Sequence, residues 1–313
     1  MDSDIMTPPK LSIGLPVYNG ENFLAQAVDS ILAQDFRDFE LIISDNASTD
    51  RTAEICRRYA ESDPRVRYVR FEKNQGASRN FCYAFELARG EYFKWAAHDD
   101  ICAQGFFRRC VERLDASGSE VVLVYPRTQM INEFGVPIPW NIETVECTQR
   151  RPHQRLALVL RELCILSSQF GVIRTAALRR TRLLDKFVAS DYVLLAELAM
   201  LGQFLEIPEP LFLRRLHPMI STRANVGLAQ LQSWWDTGPA RYRFPISPMF
   251  RLGYEYVRSI NRLELPVSDR CLCYVTAVSV WYVRELRNWA GRQRIRLLNK
   301  FRTAVEAGPT AEI

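Results

Sequence analysis

The stretch Leu11–Asp50, LSIGLPVYNGENFLAQAVDSILAQDFRDFELIISDNASTD, decides the fold of this chain. Lys10–Val17 is rich in apolar and β-branched residues and predicts a strand, which the polar tripeptide YNG ends. Apolar residues then recur at helical spacing within Phe23–Leu32, and Phe39–Ser44 is a nearly all-apolar run, typical of a strand covered on both faces. The stretch therefore predicts a β-α-β unit.

The same alternation continues to residue 96. The pattern predicts a helix at Thr52–Ala60, a strand at Val66–Phe71, a helix at Gly76–Leu87 and a strand at Glu91–Ala96. This order is typical of a mostly parallel, doubly wound α/β sheet flanked by helices. Right-handed crossovers place the C-terminal end of every strand on one edge of the sheet, which is where open α/β sheets bind ligands.

The later part of the chain alternates less regularly. It predicts a helix at Gly105–Leu114, a strand at Val121–Tyr125, an irregular region over 127–153, and helices at Gln154–Leu163 and Asp191–Leu201. From about residue 225 the sequence is helical and aromatic, without further alternation. We therefore expect an α/β domain over residues 1–222 and a C-terminal helical region over 223–313.

Composition excludes several classes of protein. With 48% hydrophobic and 25% charged residues, the chain of 313 residues is not a disordered protein. The net charge of +5 arises from Arg284–Arg302, which holds seven Lys or Arg and one acid, Glu285. The rest is near neutral and shows no recognition module, so nucleic acid is not an expected partner. No signal peptide is visible, and Cys271–Val283 is too short an apolar run to span a bilayer. The eight scattered cysteines form no C-x-x-C pair and are typical of reduced thiols in a cytosolic protein.

Polar turns follow the predicted strands at the ligand-binding edge. Asp45 follows the second strand, and His98-Asp99-Asp100 follows the fourth. Adjacent carboxylates after a buried strand are unfavourable unless a cation joins them, and oxygen ligands favour Mg²⁺ or Mn²⁺. These side chains therefore predict a site for a nucleotide with a divalent metal. The alternatives for the aspartate pair are a solvated turn or a helix cap. Arg79, in the first turn of its helix, is either a phosphate or base ligand or a surface arginine.

Two other nucleotide-binding classes are excluded by their missing motifs. No G-x-G-x-x-G follows the first strand, which excludes a dinucleotide-dependent dehydrogenase. No G-x-x-x-x-G-K-[ST] is present either, which excludes a P-loop NTPase.

The sequence resembles the family 2 glycosyltransferases, which are inverting enzymes of the Rossmann-like GT-A fold. The resemblance covers residues 11–100 in order and at family spacing, and it extends less tightly to about residue 222. It is carried by Pro16-Val17-Tyr18-Asn19-Gly20, Asp45 with Ser48-Thr49-Asp50, Asn74-x-Gly76-x-x-Arg79-Asn80, Gly90-Glu91-Tyr92, Asp99-Asp100, Phe170–Arg174, Ser190-Asp191-Tyr192 and Arg215-Leu216-His217-Pro218.

The resemblance implies a UDP- or dTDP-sugar donor and assigns roles to individual residues. The donor would be bound by Pro16, Tyr18, Asn19, Asp45, Arg79, His98, Asp99, Arg215 and His217, with Asp45 contacting the base. The metal, Mn²⁺ or Mg²⁺, would be held by Asp99 and Asp100. Members with an Asp-x-Asp-Asp pattern have a carboxylate where this chain has Ala97, which leaves open which of the two aspartates is the principal ligand.

Asp191 matches the catalytic base of the family. An inverting transfer needs a base, because the acceptor hydroxyl must lose its proton as it attacks the sugar. The alternative is that Asp191 caps the helix that follows it. The implied acceptor is a glycan or a lipid-linked sugar, as in polysaccharide or glycolipid biosynthesis.

The basic tail also has two interpretations. Residues 284–302 mix Lys and Arg with large apolar residues, which suits a helix lying on an anionic membrane surface, at the inner face of the membrane, or a merely solvated basic face. An inactive nucleotide-sugar-binding protein and a membrane-surface scaffold remain alternatives to an enzyme.

Overall fold

The computed structural model describes residues 7–141, 146–162, 167–220, 225, 227–238, 248–283 and 286. The strands are β1 Leu11–Val17, β2 Phe39–Asp45, β3 Val66–Arg70, β4 Tyr92–Trp95, β5 Ile101–Cys102, β6 Val121–Ile131, β7 Pro137–Asn141, β8 Val172–Arg174 and β9 Gln203–Arg215. The helices are α1 Leu24–Leu32, α2 Thr52–Ser62, α3 Ala77–Glu86, α4 Phe106–Asp115, α5 Pro152–Glu162, α6 Thr175–Leu178, α7 Ser190–Leu201, α8 Leu228–Trp235, α9 Pro248–Arg262 and α10 267–283.

One mixed sheet, flanked by helices, forms the centre of the described chain. Its strand order is β3-β2-β1-β4-β8-β6-β9-β5, and β7 pairs with β6. The first four strands are parallel, as the β-α-β rhythm predicts, and β8 is antiparallel to both of its neighbours. Strands β1 and β2 are buried along their whole length, because helices cover both faces. The predicted mostly parallel α/β sheet is thus confirmed.

The region after residue 120 is more regular than the sequence predicts. Strand β6 continues to Ile131 and forms a hairpin with β7, inside the region expected to be irregular. The turn is stabilised by Asn132, whose side-chain oxygen accepts hydrogen bonds from the amides of Phe134 and Val136. Gly135 adopts a φ of 84°, which a side chain would disfavour. Prolines within β7 obscure this strand in the sequence.

Strand β9 is absent from the sequence-based expectation. It pairs in parallel with β6, first over 203–207 and again over 212–215, with an irregularity between the two segments. Pro208-Glu209-Pro210 lies at that interruption, and because prolines are unfavourable within a strand, the sequence does not indicate one long strand here. The strand matters because its end, Arg214-Arg215, lies beside the acidic turn that follows β4.

A buried ion-pair network attaches α9 to α7. The guanidinium of Arg182 donates hydrogen bonds to Glu197 of α7 at 3.2 Å and to Glu255 of α9 at 2.5 Å. It also reaches the Ser259 hydroxyl at 2.6 Å, and Arg262 pairs with Glu197 at 2.9 Å. Helix α9, which lies after the expected boundary at residue 222, is therefore held to α7 by charge-assisted hydrogen bonds. The division into residues 1–222 and 223–313 stays a prediction.

None of the helices in the described part of the chain is both long and apolar enough to cross a membrane.

Replacing Arg182 with alanine should be strongly destabilising. The substitution leaves the fully buried Glu197 and the nearly buried Glu255 without their shared cation, and breaking such a pair costs about 3–5 kcal/mol. Arg258→Ala is the matched control, because this exposed arginine lies 3.6 Å from the same Glu255, and its loss should cost under about 1 kcal/mol. Urea unfolding measures both; equal losses would contradict the network's role.

Candidate active site

The loops after β1 and β2 are joined to each other at the edge of the sheet. The Asn19 amide donates to Ser48 Oγ at 2.9 Å, and the Thr49 amide donates to Asn19 Oδ1 at 2.8 Å. Asn19 has a φ of 52°, a conformation that asparagine tolerates better than most residues. Pro16 is buried beneath this loop, whereas Tyr18 projects from it with 39% of its surface exposed. The two loops therefore form a fixed wall with an exposed aromatic ring.

Gly20 brings the β1 loop against the turn that follows β4. A Cβ atom at Gly20 would lie 2.7 Å from His98 Cδ2 and 2.6 Å from Val17 Cγ2. Only glycine allows this approach without displacement. His98, a predicted donor ligand, is thus placed beside the loop of Tyr18 and Asn19.

Asp45 is an internal support of the β2 loop. Its Oδ1 accepts a hydrogen bond from the Ser48 amide at 2.8 Å, and its Oδ2 accepts one from the Tyr68 hydroxyl at 2.8 Å. Arg70 Nε lies 3.3 Å from Oδ2, and the Asp45 side chain is fully buried. The carboxylate is thus held by contacts within the protein.

Asp99 and Asp100 have different environments. Asp99 Oδ2 lies 3.0 Å from His217 Nε2, and its side chain is 17% exposed. Burial raises the pKa of Asp99, but His98 and His217 outweigh it, so the pKa lies below the ordinary value. Asp100 is more deeply buried and accepts a hydrogen bond from the Arg215 amide at 2.9 Å. Burial, with the nearby charge of Asp99, raises the pKa of Asp100 to about 7.

Arg215 is a buried clamp on the acidic turn. Its Nε donates to the Asp99 carbonyl at 2.8 Å, its Nη1 to the Glu133 carbonyl at 2.8 Å and its Nη2 to Gln26 Oε1 at 2.8 Å. The guanidinium also stacks over Phe23, 4.7 Å from the ring centroid. Through these hydrogen bonds Arg215 holds the turn in place.

Asp191 lies in the first turn of α7 and is half-buried. It is not the cap of that helix: the N-cap position is Ala189, and no side chain caps the helix end. Asp191 Oδ1 accepts a hydrogen bond from the Tyr192 amide at 3.1 Å. Burial raises the pKa of Asp191 to about 6, against the opposing effects of that hydrogen bond and of the Arg214 charge. Asp191 is therefore the second residue of α7 and does not occupy its N-cap position.

Arg214 acts electrostatically on both groups of carboxylates. Its positive charge lowers the pKa of Asp191 and also that of Asp100. Its Nη1 donates to Ser167 Oγ at 3.3 Å. Arg214 is not among the site residues that the sequence predicts. The sequence contains one signal for the direction of the Arg214 side chain. Strand β9 ends in two arginines, and because successive side chains of a strand point to opposite faces, Arg214 lies opposite Arg215.

Arg79 is directed along its own helix. Its Nη1 pairs with Glu86 Oε1 at 2.6 Å, two turns further along α3, and its guanidinium lies over the Tyr83 ring. The strand-end loops lie at the opposite, N-terminal end of α3. The surface alternative for Arg79 therefore fits this structure better than a phosphate ligand does.

The described residues contain no cluster of three or more His, Cys, Asp and Glu side chains that would hold a metal by themselves. A site with one or two carboxylates still suits Mg²⁺ or Mn²⁺, because these ions take their remaining ligands from substrate phosphates and water. Asp99 fits such a site, since its side chain is the more exposed of the pair.

Comparison with known proteins identifies the family. The profile of glycosyl transferase family 2 matches residues 12–187, more than half of the chain. A glycosyltransferase of uncharacterized activity from Rickettsia prowazekii is 25% identical over 232 residues, which are 73% of this chain and 70% of that protein. One from Rickettsia typhi is 31% identical over 125 residues, which are 40% of this chain and only 38% of the relative. The chain belongs to glycosyl transferase family 2.

Solved structures show the same fold. TarS from S. aureus, in complex with UDP-GlcNAc, matches with a TM-score of 0.63 and 16% identity over 88% of this chain and 73% of that chain. A mannosyltransferase from Pyrobaculum calidifontis, in complex with GDP-Man and Mn²⁺, matches with a TM-score of 0.52 and 17% identity over 95% of this chain and 83% of that chain. At this identity the likeness concerns the fold, and it confirms the expected GT-A type.

Replacing Asp45 with asparagine should lower stability before it affects a ligand. The amide nitrogen cannot accept hydrogen bonds, so the Ser48 amide or the Tyr68 hydroxyl loses its acceptor, at about 1–3 kcal/mol. Tyr68→Phe removes one of these bonds and should cost about 1 kcal/mol. Thermal unfolding without nucleotide is the measurement. An Asp45→Asn protein as stable as the wild type that no longer binds UDP would show that the carboxylate contacts the base.

Proposed function

We propose that the chain is an inverting, metal-assisted glycosyltransferase that transfers a sugar from a UDP- or dTDP-sugar to a hydroxyl of a glycan or lipid-linked acceptor. The observation that supports the proposal is the end of β9. There the Arg215 amide donates to Asp100 Oδ1 at 2.9 Å, and the charge of Arg214 lowers the pKa of both Asp100 and Asp191. In this proposal one cation serves both the candidate metal and diphosphate site and the candidate base, as suits a displacement at one sugar carbon.

The donor would lie against the loops after β1, β2 and β4. Tyr18 is the exposed aromatic surface for the base, and Pro16 and Asn19 shape the loop that carries it. His98 lines the ribose side, next to Gly20. Three other residues predicted to bind the donor act indirectly in this proposal: Asp45 fixes the β2 loop, and Arg215 and His217 fix Asp99.

Asp99 would hold the divalent metal together with the donor's diphosphate. Mn²⁺ or Mg²⁺, when bound, supplies Lewis-acid stabilisation of the leaving nucleoside diphosphate. Asp100 would contribute mainly by positioning, because its buried Oδ1 is bound to the Arg215 amide. Arg214 supplies a positive charge between this turn and Asp191.

Asp191 would act as the general base. Its carboxylate accepts the proton of the acceptor hydroxyl while that oxygen forms a bond to C1 of the sugar and the bond from C1 to the diphosphate breaks. The raised pKa of about 6 keeps the group deprotonated near neutral pH and makes it a stronger proton acceptor than an ordinary aspartate. Inversion at C1 follows from this single displacement.

Location and acceptor complete the proposal. A cytoplasmic enzyme of polysaccharide or glycolipid biosynthesis would meet lipid-linked acceptors at the inner face of the membrane, where the basic tail 284–302 would contact anionic lipid. Apart from Leu286, that tail lies outside the described residues.

Asp191→Asn should abolish transfer and leave donor binding intact. Loss of a general base is expected to reduce kcat by about 10²–10⁴-fold, whereas the affinity for UDP with Mn²⁺, measured by calorimetry, should stay unchanged. Asp185→Asn is the control: this half-exposed aspartate belongs to the segment preceding α7, and its substitution should leave kcat nearly unaltered. Full turnover by Asp191→Asn would favour a different base, and no turnover by the wild type with any donor would favour a binding protein.

The titration of Asp191 has a kinetic and a thermodynamic consequence. Since the base must be ionised, kcat/KM should rise with pH and level off above about pH 6.

Because the pKa of Asp191 is raised in the folded state, the folded protein binds more protons than the unfolded chain between the ordinary pKa and about 6. The free energy of unfolding therefore falls as pH rises through that range. Asp191→Asn should therefore gain stability relative to wild type at pH 8 compared with pH 4. A stability difference between Asp191→Asn and the wild type that is the same at pH 4 and pH 8 would contradict the raised pKa.

Asp99→Asn and Asp100→Asn should separate the two aspartates. Calorimetric titration of UDP with and without Mn²⁺ should show that Asp99→Asn loses most of the affinity gained from the metal, because the more exposed carboxylate is the ligand. Asp100→Asn should keep most of that gain and lose stability instead, since its carboxylate is buried against the Arg215 amide. The reverse pattern would assign the metal to Asp100.

A further inference from the structure

Helix α10 exposes an apolar surface, here called the α10 stripe, formed by Leu272, Val275, Val278, Tyr282 and Val283. Val275 is 65% exposed and Val278 58% exposed. Their spacing of three and four residues places them on one side of a helix. Residues 271–283 contain no Asp, Glu, Lys or Arg, so no charged side chain of this segment interrupts the stripe. Soluble proteins rarely leave contiguous apolar patches of this kind without a function.

The opposite side of α10 is packed against the protein. Cys273 and Ala277 are buried, and Asp269, one turn earlier, pairs with Arg151 at 3.0 Å. A Cβ atom at Gly253 of α9 would lie 3.0 Å from the Trp281 ring, which shows how closely the two helices approach. The helix is thus fixed with its apolar stripe outward.

The sequence that follows the stripe indicates which kind of partner would cover it. Residues 284–302 carry seven Lys or Arg and one acid. A second copy of the chain would cover the stripe but would leave this positive charge unused. An anionic phospholipid surface offers both an apolar interior for the valines and negative headgroups for the adjacent cations.

We propose that the α10 stripe is a folded docking surface for an anionic phospholipid bilayer, on which α10 lies in the plane of the interface. This inference extends the membrane contact of the proposed function from the tail to a specific helix face. It does not depend on glycosyl transfer, so it can fail while that activity stands. Docking through α10 would also attach the α9–α7 network, and thereby Asp191, to the membrane surface.

The test is co-sedimentation of the full-length chain with phosphatidylcholine vesicles, prepared with and without phosphatidylglycerol. The wild type should bind the vesicles that contain phosphatidylglycerol and bind pure phosphatidylcholine weakly. Val275→Asp/Val278→Asp should weaken binding at least roughly tenfold, because charge replaces two buried side chains in the interface. Val136→Asp, at a 55% exposed valine of the β6–β7 turn, is the matched control and should bind as the wild type does.

Several outcomes would overturn the proposal. Equal binding by the wild type and the double variant would assign binding to the tail alone. Wild-type binding that does not depend on phosphatidylglycerol would also contradict the proposal. A stable dimer that Val275→Asp/Val278→Asp converts to monomer, without a change in vesicle binding, would identify a second copy as the partner. If the charged pair prevents folding, Val275→Ser/Val278→Ser tests the same face without charge and should give a smaller loss. Unchanged donor affinity in each variant separates this test from that of the proposed function.

Discussion

The candidate site depends on how the end of β9 is tied to the turn after β4. The Arg215 backbone amide holds Asp100, and its guanidinium holds the Asp99 carbonyl, Glu133 and Gln26. Successive residues of a strand point to opposite faces, so fixing Arg215 inward directs Arg214 to the other side, where its Nη1 donates to Ser167 Oγ. The charge of Arg214 lowers the pKa of both Asp100 and Asp191, which reduces the electrostatic cost of burying these two carboxylates.

Much of the fold follows from local pattern. The first four strands and three helices of this family 2 glycosyltransferase occur where apolar periodicity predicts them, because fully buried strands and amphipathic helices carry strong periodic signals. The expectation is wrong where prolines interrupt the pattern. Strand β9 contains Pro208 and Pro210 at a break in its pairing with β6, and β7 begins with a proline. Pairing with distant strands overrides local propensity at both places.

The site was less predictable than the fold. Sequence order places Asp45, Asp99 and Asp100 at the strand ends, and the structure keeps them there. The sequence does not reveal which side chains are already hydrogen-bonded within the protein, because those contacts join residues far apart in the chain. Arg215 meets Gln26, and Asp45 meets Tyr68. For the same reason Arg214 could not be recognised as the residue whose charge lowers the pKa of both Asp100 and Asp191.

A crystal structure of the protein with UDP and Mn²⁺ is the decisive experiment. We expect the diphosphate beside Asp99 with the base against Tyr18, and we expect Asp191 to face the space next to the outer phosphate, where the sugar and acceptor would meet. A nucleotide bound away from the ends of β1, β2 and β4, or an Asp191 carboxylate separated from that nucleotide by protein, would contradict this expectation.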